Sequence, residues 1–314
     1  MSVEVLDSRF AVVTQSAGVL QPLCSGAIWS EGPVWMHEDH SLLWSDIPNN
    51  RMLRWHADTR STTSHHSGMT VWREAVEFTN GHAREKSGAL LHCSHGQRAI
   101  VRTRFGPGLV PLADEIVVDR YQGRRLNSPN DLVVKSDGTI WFTDPPYGIL
   151  SNVEGHQAES ELRKNYVFRF DPATQTLDVV SDVAEEPNGL AFSPDEALLY
   201  VSDTSAARRP AGEGHHHILA FDVRAGRSLC NPRVLAVVRP GLPDGFKVDQ
   251  HGFIYTSSLD SVQIYHPDGT RIGRIAVPEK VGNLCFGGTA GNELFICAST
   301  SLYRVRLNTV GAVW

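Results

Sequence analysis

Short apolar runs recur along this chain, each opening on an Asn, Asp or Glu and each followed by a turn and a second strand-like run. The segments read SEGPVWMHEDHSLLWSD (30–46), TNGHAREKSGALLHCS (79–94), PNDLVVKSDGTIWFTD (129–144), PNGLAFSPDEALLYVSD (187–203), PDGFKVDQHGFIYTSS (243–258) and GNLCFGGTAGNELFICA (282–298). Their markers are Glu31, Asn80, Asn130, Asn188, Asp244 and Asn283, spaced 49, 50, 58, 56 and 39 residues apart. Apolar and polar residues alternate and Asp-Gly or other Gly-rich turns bound the runs, which predicts strands and hairpins rather than helices. Six such repeats, each long enough for four strands, predict an all-β fold, a six-bladed β-propeller.

The 314 residues suit one such ring, so residues 1–314 are read as a single domain. Residues 1–28 precede the first repeat, and the last repeat has only NELFICAS and SLYRVRL after NLCFG. A strand from the N-terminal stretch, within VEVLDSRFAVV, is predicted to complete the last blade and remove its free edge. Two insertions, 145–162 and 204–217, follow strands that have returned to the marker end of their blades. Both are expected to overhang that end, where binding loops and lids lie on a rigid scaffold.

The formal net charge is −6, with Lys and Arg scattered and no basic stripe to follow a phosphate backbone, which argues against nucleic acid as a partner. No basic segment leads into an apolar core at the N-terminus, and no apolar run approaches the roughly 18 residues of a membrane helix. The chain is therefore expected to be cytoplasmic, with no membrane partner. Its five cysteines lack CxxC spacing and are expected to be buried free thiols.

In a propeller the innermost strands face the central channel, so equivalent positions on successive blades converge on the axis. The convergent set is the carboxylates of Glu31 and Asp244 and the amides of Asn130 and Asn188, with Asn80 and Asn283 as further members. Oxygen ligands without Cys or His suit a hard divalent cation, Ca²⁺ first and Mg²⁺ or Mn²⁺ next. Asn, Asp and Gly are also ordinary turn formers, but a turn has no need of Glu31. A second ring of acids, Asp46, Asp144 and Asp203, ends the return strands. Asp144 and Asp203 are expected either to orient the amides or ordered water from outside the ligand set, or to bond the backbone of the loops they begin. HEDH (37–40) falls at a hairpin turn and lacks the zinc-protease spacing; His215, His216 and His217 read as a solvated cluster; His92 and His95 stand where they could reach the channel mouth. Neither a GxSxG elbow nor a P-loop is present.

With SEGPVW, LNSPNDLVV, DGTIWFTDPPYG, PNGLAFSPD, LYVSDT and PDGFKVD in order, the chain resembles the family of senescence marker protein (regucalcin), bacterial gluconolactonases and luciferin-regenerating enzyme, from about Trp29 to Arg306. The resemblance implies a six-bladed propeller with a catalytic divalent cation, Ca²⁺ or Zn²⁺, in its channel, and hydrolysis of sugar lactones. It matches the family's metal-binding Glu to Glu31, its PNG asparagine to Asn188, its PDG aspartate to Asp244, and its PND asparagine, which contacts metal or substrate, to Asn130. The expected reaction is metal-assisted water attack on a sugar lactone, with Asp244 as general base and Asn127, Asn130 and Tyr147 contacting the sugar. Two alternatives remain open: a phosphotriesterase or other ester hydrolase on the same scaffold, and a Ca²⁺-binding propeller without chemistry.

Overall fold

The computed structural model describes residues 3–15, 17–56 and 68–312. Six antiparallel sheets of four or five strands follow one another in chain order, as the repeats predict. Blade I is Ser30–Met36, Ser41–Asp46, Arg51–His56 and Met69–Glu74; blade II is Thr79–Arg84, Leu90–Ser94, Ala99–Phe105 and Pro111–Val118. Blade III is Leu132–Val134, Ile140–Asp144, Tyr166–Asp171 and Thr176–Ser181; blade IV is Pro187–Phe192, Leu198–Asp203, His217–Arg224 and Ser228–Val237. Blade V is Phe246–Val248, Ile254–Thr256, Ser261–Tyr265 and Arg271–Ala276, and blade VI begins with Val281–Gly287, Glu293–Ala298 and Ser301–Arg306. Among the described residues no helix is long and apolar enough to cross a membrane.

The N-terminal stretch does complete blade VI, but through a different segment from the one expected. Gln21–Ser25 pairs antiparallel with Ser301–Arg306, whereas Val3–Val5 adds a fifth strand to blade V beside Arg271–Ala276. The apolar side chains of 10–13 explain the difference: Phe10 and Val13 are fully buried between blades V and VI, so this stretch forms short helical turns that plug the seam instead of a ladder.

Apolar side chains fill the spaces between neighbouring blades. Trp35 stacks on Phe295 across blades I and VI at 5.2 Å between ring centroids, and Trp141 meets Phe192 edge-on across blades III and IV at 5.4 Å. Each blade is thus buried on both faces, which is why its middle strands read as nearly continuous apolar runs. Cys24, Cys93, Cys285 and Cys297 are buried and, like the half-buried Cys230, unpaired; HEDH forms the hairpin turn of blade I.

Candidate active site

Backbone hydrogen bonds between neighbouring inner strands set the register around the axis. The residue after a marker donates its N–H to the next blade's marker carbonyl: Gly81 to Asn130 (2.9 Å), Gly189 to Asp244 (3.0 Å) and Gly245 to Gly282 (2.8 Å). The sixth marker position therefore belongs to Gly282, and Asn283 lies one residue beyond it, a correction to the sequence reading. Asn283 stands level with Gly245, where any Cβ would collide with its amide; glycine there makes room for a polar layer beneath the markers. Asp131 and Lys247 belong to that lower layer, with Lys247 Nζ 3.8 Å from Asp131 Oδ2.

Above it, Glu31, Asn80, Asn130, Asn188 and Asp244 share the wall of one cavity of about 320 Å³. Tyr147 and Glu154 enter from loop 145–162, Thr204 and Ala207 from loop 204–217, and Trp29, Ile47, Leu242 and Lys280 complete the wall. Both insertions thus overhang the marker end, as hairpin parity requires. One side of the cavity is a directional chain of amides. Asn80 Nδ2 donates to Asn130 Oδ1 and Asn130 Nδ2 to Asn188 Oδ1, both at 2.6 Å, and Asn188 Nδ2 reaches Thr204 Oγ1 at 3.3 Å. Thr204 Oγ1 in turn lies 2.7 Å from the Tyr147 hydroxyl.

His95 begins this chain. Its Nδ1 faces the Glu154 carbonyl at 2.8 Å and its Nε2 faces Asn80 Nδ2 at 3.3 Å, a pairing that fixes the neutral imidazole with its proton on Nδ1. Burial pushes its pKa down to about 4, consistent with that neutral form. A Cβ on Gly148 would strike the His95 ring, so glycine there lets the loop seat against it. His92 does not reach the cavity; it is buried within blade II, its ring edge-on to His82 at 6.1 Å.

The opposite side holds the two carboxylates. Glu31 accepts the Gly32 N–H through Oε2 at 2.9 Å, while its buried Oε1 has no hydrogen-bond partner. Burial, then the Asp244 charge, pushes its pKa well up, against the Gly32 N–H and the nearby Asn283 amide. Asp244 is pushed up to about 6 by burial, which Lys280 and the Asn188 amide oppose. Two buried like charges with an orphaned oxygen form an arrangement that a divalent cation would relieve. The donor set fits: two carboxylates balance the ion, and the oxygens of Asn130 and Asn188 each accept one hydrogen bond and keep a second lone pair. Among the described residues no group of three or more His, Cys, Asp or Glu is disposed to hold a metal, so the fit depends on the amides as well as the two acids.

One sequence expectation needs correction, that for Asn127, and of the two readings of Asp144 and Asp203 the backbone one holds. Asn127 is fully buried away from the cavity: its Nδ2 donates to the carbonyls of Asp144 (3.0 Å) and Lys164 (2.8 Å), and its Oδ1 accepts from Ser160. It pins the loop and is not placed to contact a substrate. Asp144 and Asp203 do not orient the amides. Asp144 accepts the N–H groups of Asn127 and Ser128, both at 2.8 Å, and Asp203 those of Glu185, Glu186 and Ser205. Asp46 likewise takes Ile28 N and Trp29 N, so this ring of acids fixes the segments around the inner strands. Sequence reasoning missed Trp29, Glu154, Thr204 and Lys280, which come from loops outside the strand pattern.

Residues 29–300 match the family described as the SMP-30/Gluconolactonase/LRE-like region. The chain belongs to this family. A relative named gluconolactonase, from Zymomonas mobilis, is 33% identical over 96% of this chain and 85% of its own. The solved structure of a gluconolactonase from Xanthomonas campestris is 39% identical, covers 97% of this chain and 94% of that one, and superposes with a TM-score of 0.84. A calcium-binding protein, regucalcin, from Agrobacterium tumefaciens shares the fold at a TM-score of 0.71 with 16% identity, over 93% of this chain and 94% of its own.

Proposed function

We propose that this family member is a lactonase that opens a sugar lactone with the help of one divalent cation, Ca²⁺ in the first instance and Zn²⁺, Mg²⁺ or Mn²⁺ as alternatives. The observation that carries this reading is the pairing of Glu31 and Asp244 opposite the Asn130 and Asn188 amides in one cavity, in a chain one-third identical to a gluconolactonase. Glu31, Asn130, Asn188 and Asp244 would hold the ion. When bound, it would supply Lewis-acid polarisation of the ester carbonyl.

The chain's own residues account for the remainder. The Asp244 carboxylate, on the cavity wall, takes the proton of the attacking water. The water oxygen bonds to the carbonyl carbon, the ring C–O bond then breaks, and the ring oxygen takes the proton back from Asp244 to become the new hydroxyl. Tyr147 and Asn130 offer hydroxyl and amide groups to the sugar, and their shared chain with Thr204 and Asn188 holds them in place before the substrate arrives. Trp29, Ile47 and Leu242 give the cavity an apolar wall for the carbon face of the ring.

The test is the initial rate of gluconolactone opening, corrected for the spontaneous reaction, in metal-stripped protein and after adding back each ion separately. Restored activity with at least one ion supports the reading. Inactivity with every ion, or a faster reaction with an organophosphate than with any aldonolactone, overturns it.

A further inference from the structure

Two charged groups at the cavity wall have no part in the ligand set. Glu154 is half-buried at the turn of loop 145–162, fixed there by His95 on its carbonyl and by close packing of Gly155 against Gly148. Lys280 enters from the connecting segment just before blade VI, with its Nζ 4.7 Å from the centre of the Trp29 ring. Its neighbour Glu279 is tied to Thr300 N at 2.9 Å and to the Tyr303 hydroxyl at 2.7 Å, which holds this segment in place. The two heads sense each other: burial raises the Glu154 pKa and the Lys280 charge opposes the rise. Yet no direct ion pair joins them, and neither head has a protein hydrogen-bond partner among the described residues.

With Glu31 and Asp244 committed to a cation, Glu154 and Lys280 remain as one acceptor and one donor at the cavity wall, opposite in charge and unspent. We propose that Glu154 and Lys280 form a clamp that reads a neighbouring pair of hydroxyls on a neutral polyhydroxy lactone. A hydroxyl both donates and accepts, so one of the pair gives its proton to the carboxylate while the other accepts from the ammonium, each bond charge-assisted. Trp29, already beneath Lys280, fixes the height of the ammonium. Lactones lacking those hydroxyls leave both charges unpaired against the bound ring, and selectivity follows from that penalty. The proposal rests on the lactonase reading and adds the substrate feature that is selected.

The test compares wild type, Lys280→Met and Glu154→Gln on glucono-δ-lactone and on δ-valerolactone, which has the same ring without hydroxyls. The ratio of kcat/KM for the two lactones falls at least tenfold in each variant, mainly through KM, and Lys280→Arg keeps most of it. In parallel, calorimetric titration with gluconolactam, an amide that resists opening, shows affinity at least tenfold weaker in both variants. Ratios and lactam affinities within threefold of wild type overturn the clamp. The two readings fail separately: a wild type inactive with every ion but binding the lactam through Glu154 and Lys280 loses the lactonase reading only, and an active wild type whose variants match it loses the clamp only.

Discussion

The two halves of the cavity wall differ in how their polar groups are satisfied. Across blades II to IV, Asn80, Asn130 and Asn188 bond each other in series and end on Thr204, so the amide half is complete within the protein. Across blades V to I, Glu31 and Asp244 flank Gly282, which offers no side chain between them, and Glu31 Oε1 is left without a partner. One half is rigid and self-contained; the other is two buried acids in need of a positive charge. Under the proposed function such a site would have its geometry fixed before an ion arrived, with the energy of occupation concentrated on the acids.

That contrast is open to attack from both sides. Under the proposed roles Asp244→Ala would remove both the base and a ligand, and turnover should fall by roughly a thousandfold or more, with loss of any thermal shift given by Ca²⁺. A rate near wild type would end the assignment. Glu31→Gln should change sign with conditions: melting above the wild type in chelator, where one of two repelling charges is gone, and below it in Ca²⁺, by on the order of 2 kcal/mol each way. Calorimetry in the two buffers reads this directly, and a shift of the same sign in both would contradict the picture.

The pH dependence follows from the raised Asp244 pKa. Folded Asp244 keeps its proton up to about pH 6, whereas the unfolded chain loses it near the ordinary aspartate value of 3.8. Between those values the folded state holds the extra proton, so chelated protein should lose stability as pH rises through this window, on the order of 2 kcal/mol from this group. A saturating cation should flatten the slope; chemical denaturation at pH 4.5 and 7 with and without Ca²⁺ checks it. The smallest effect belongs to the amide half. Asn80→Ala strips the donor from Asn130 Oδ1 and His95 Nε2 and should cost about 1 to 3 kcal/mol, equally with and without the ion. A cost that vanished in Ca²⁺ would place Asn80 with the acids.

Much of this was readable in the chain because the repeat itself carries it. Glu31, Asn130, Asn188 and Asp244 each open an apolar strand at the same place in its blade, so their convergence follows from periodicity. Asn283 misled because GNLCFGG offers an amide one residue past the true position, and register is settled by Gly245 N–H on the Gly282 carbonyl, a bond between blades that no single strand encodes. Asn127 misled for a related reason: LNSPN sits at the rim, but the Asp144 and Lys164 carbonyls and the Ser160 hydroxyl turn its amide inward. Glu154 and Lys280 left no periodic trace, because loop path and not strand alternation brings them to the cavity.

The seam in blade VI has a bearing on how the molecule is made. Gln21–Ser25 zips onto Ser301–Arg306, and Arg304 Nη2 bonds the Gln21 side chain across 283 residues of sequence. At translation rates of about 5 to 20 residues per second, the early strand waits roughly 15 to 60 s for its mate to be synthesised. Until then the nascent arc shows open sheet edges to the cell, and pairing so distant in sequence is intrinsically slow. Glu31 lies on one flank of that seam and Asp244 belongs to the blade on the other. Glu31 and Asp244 therefore come to share one cavity wall only when blade VI, the last to be finished, stands between their blades, so completing the ring also completes the acid half of the cavity.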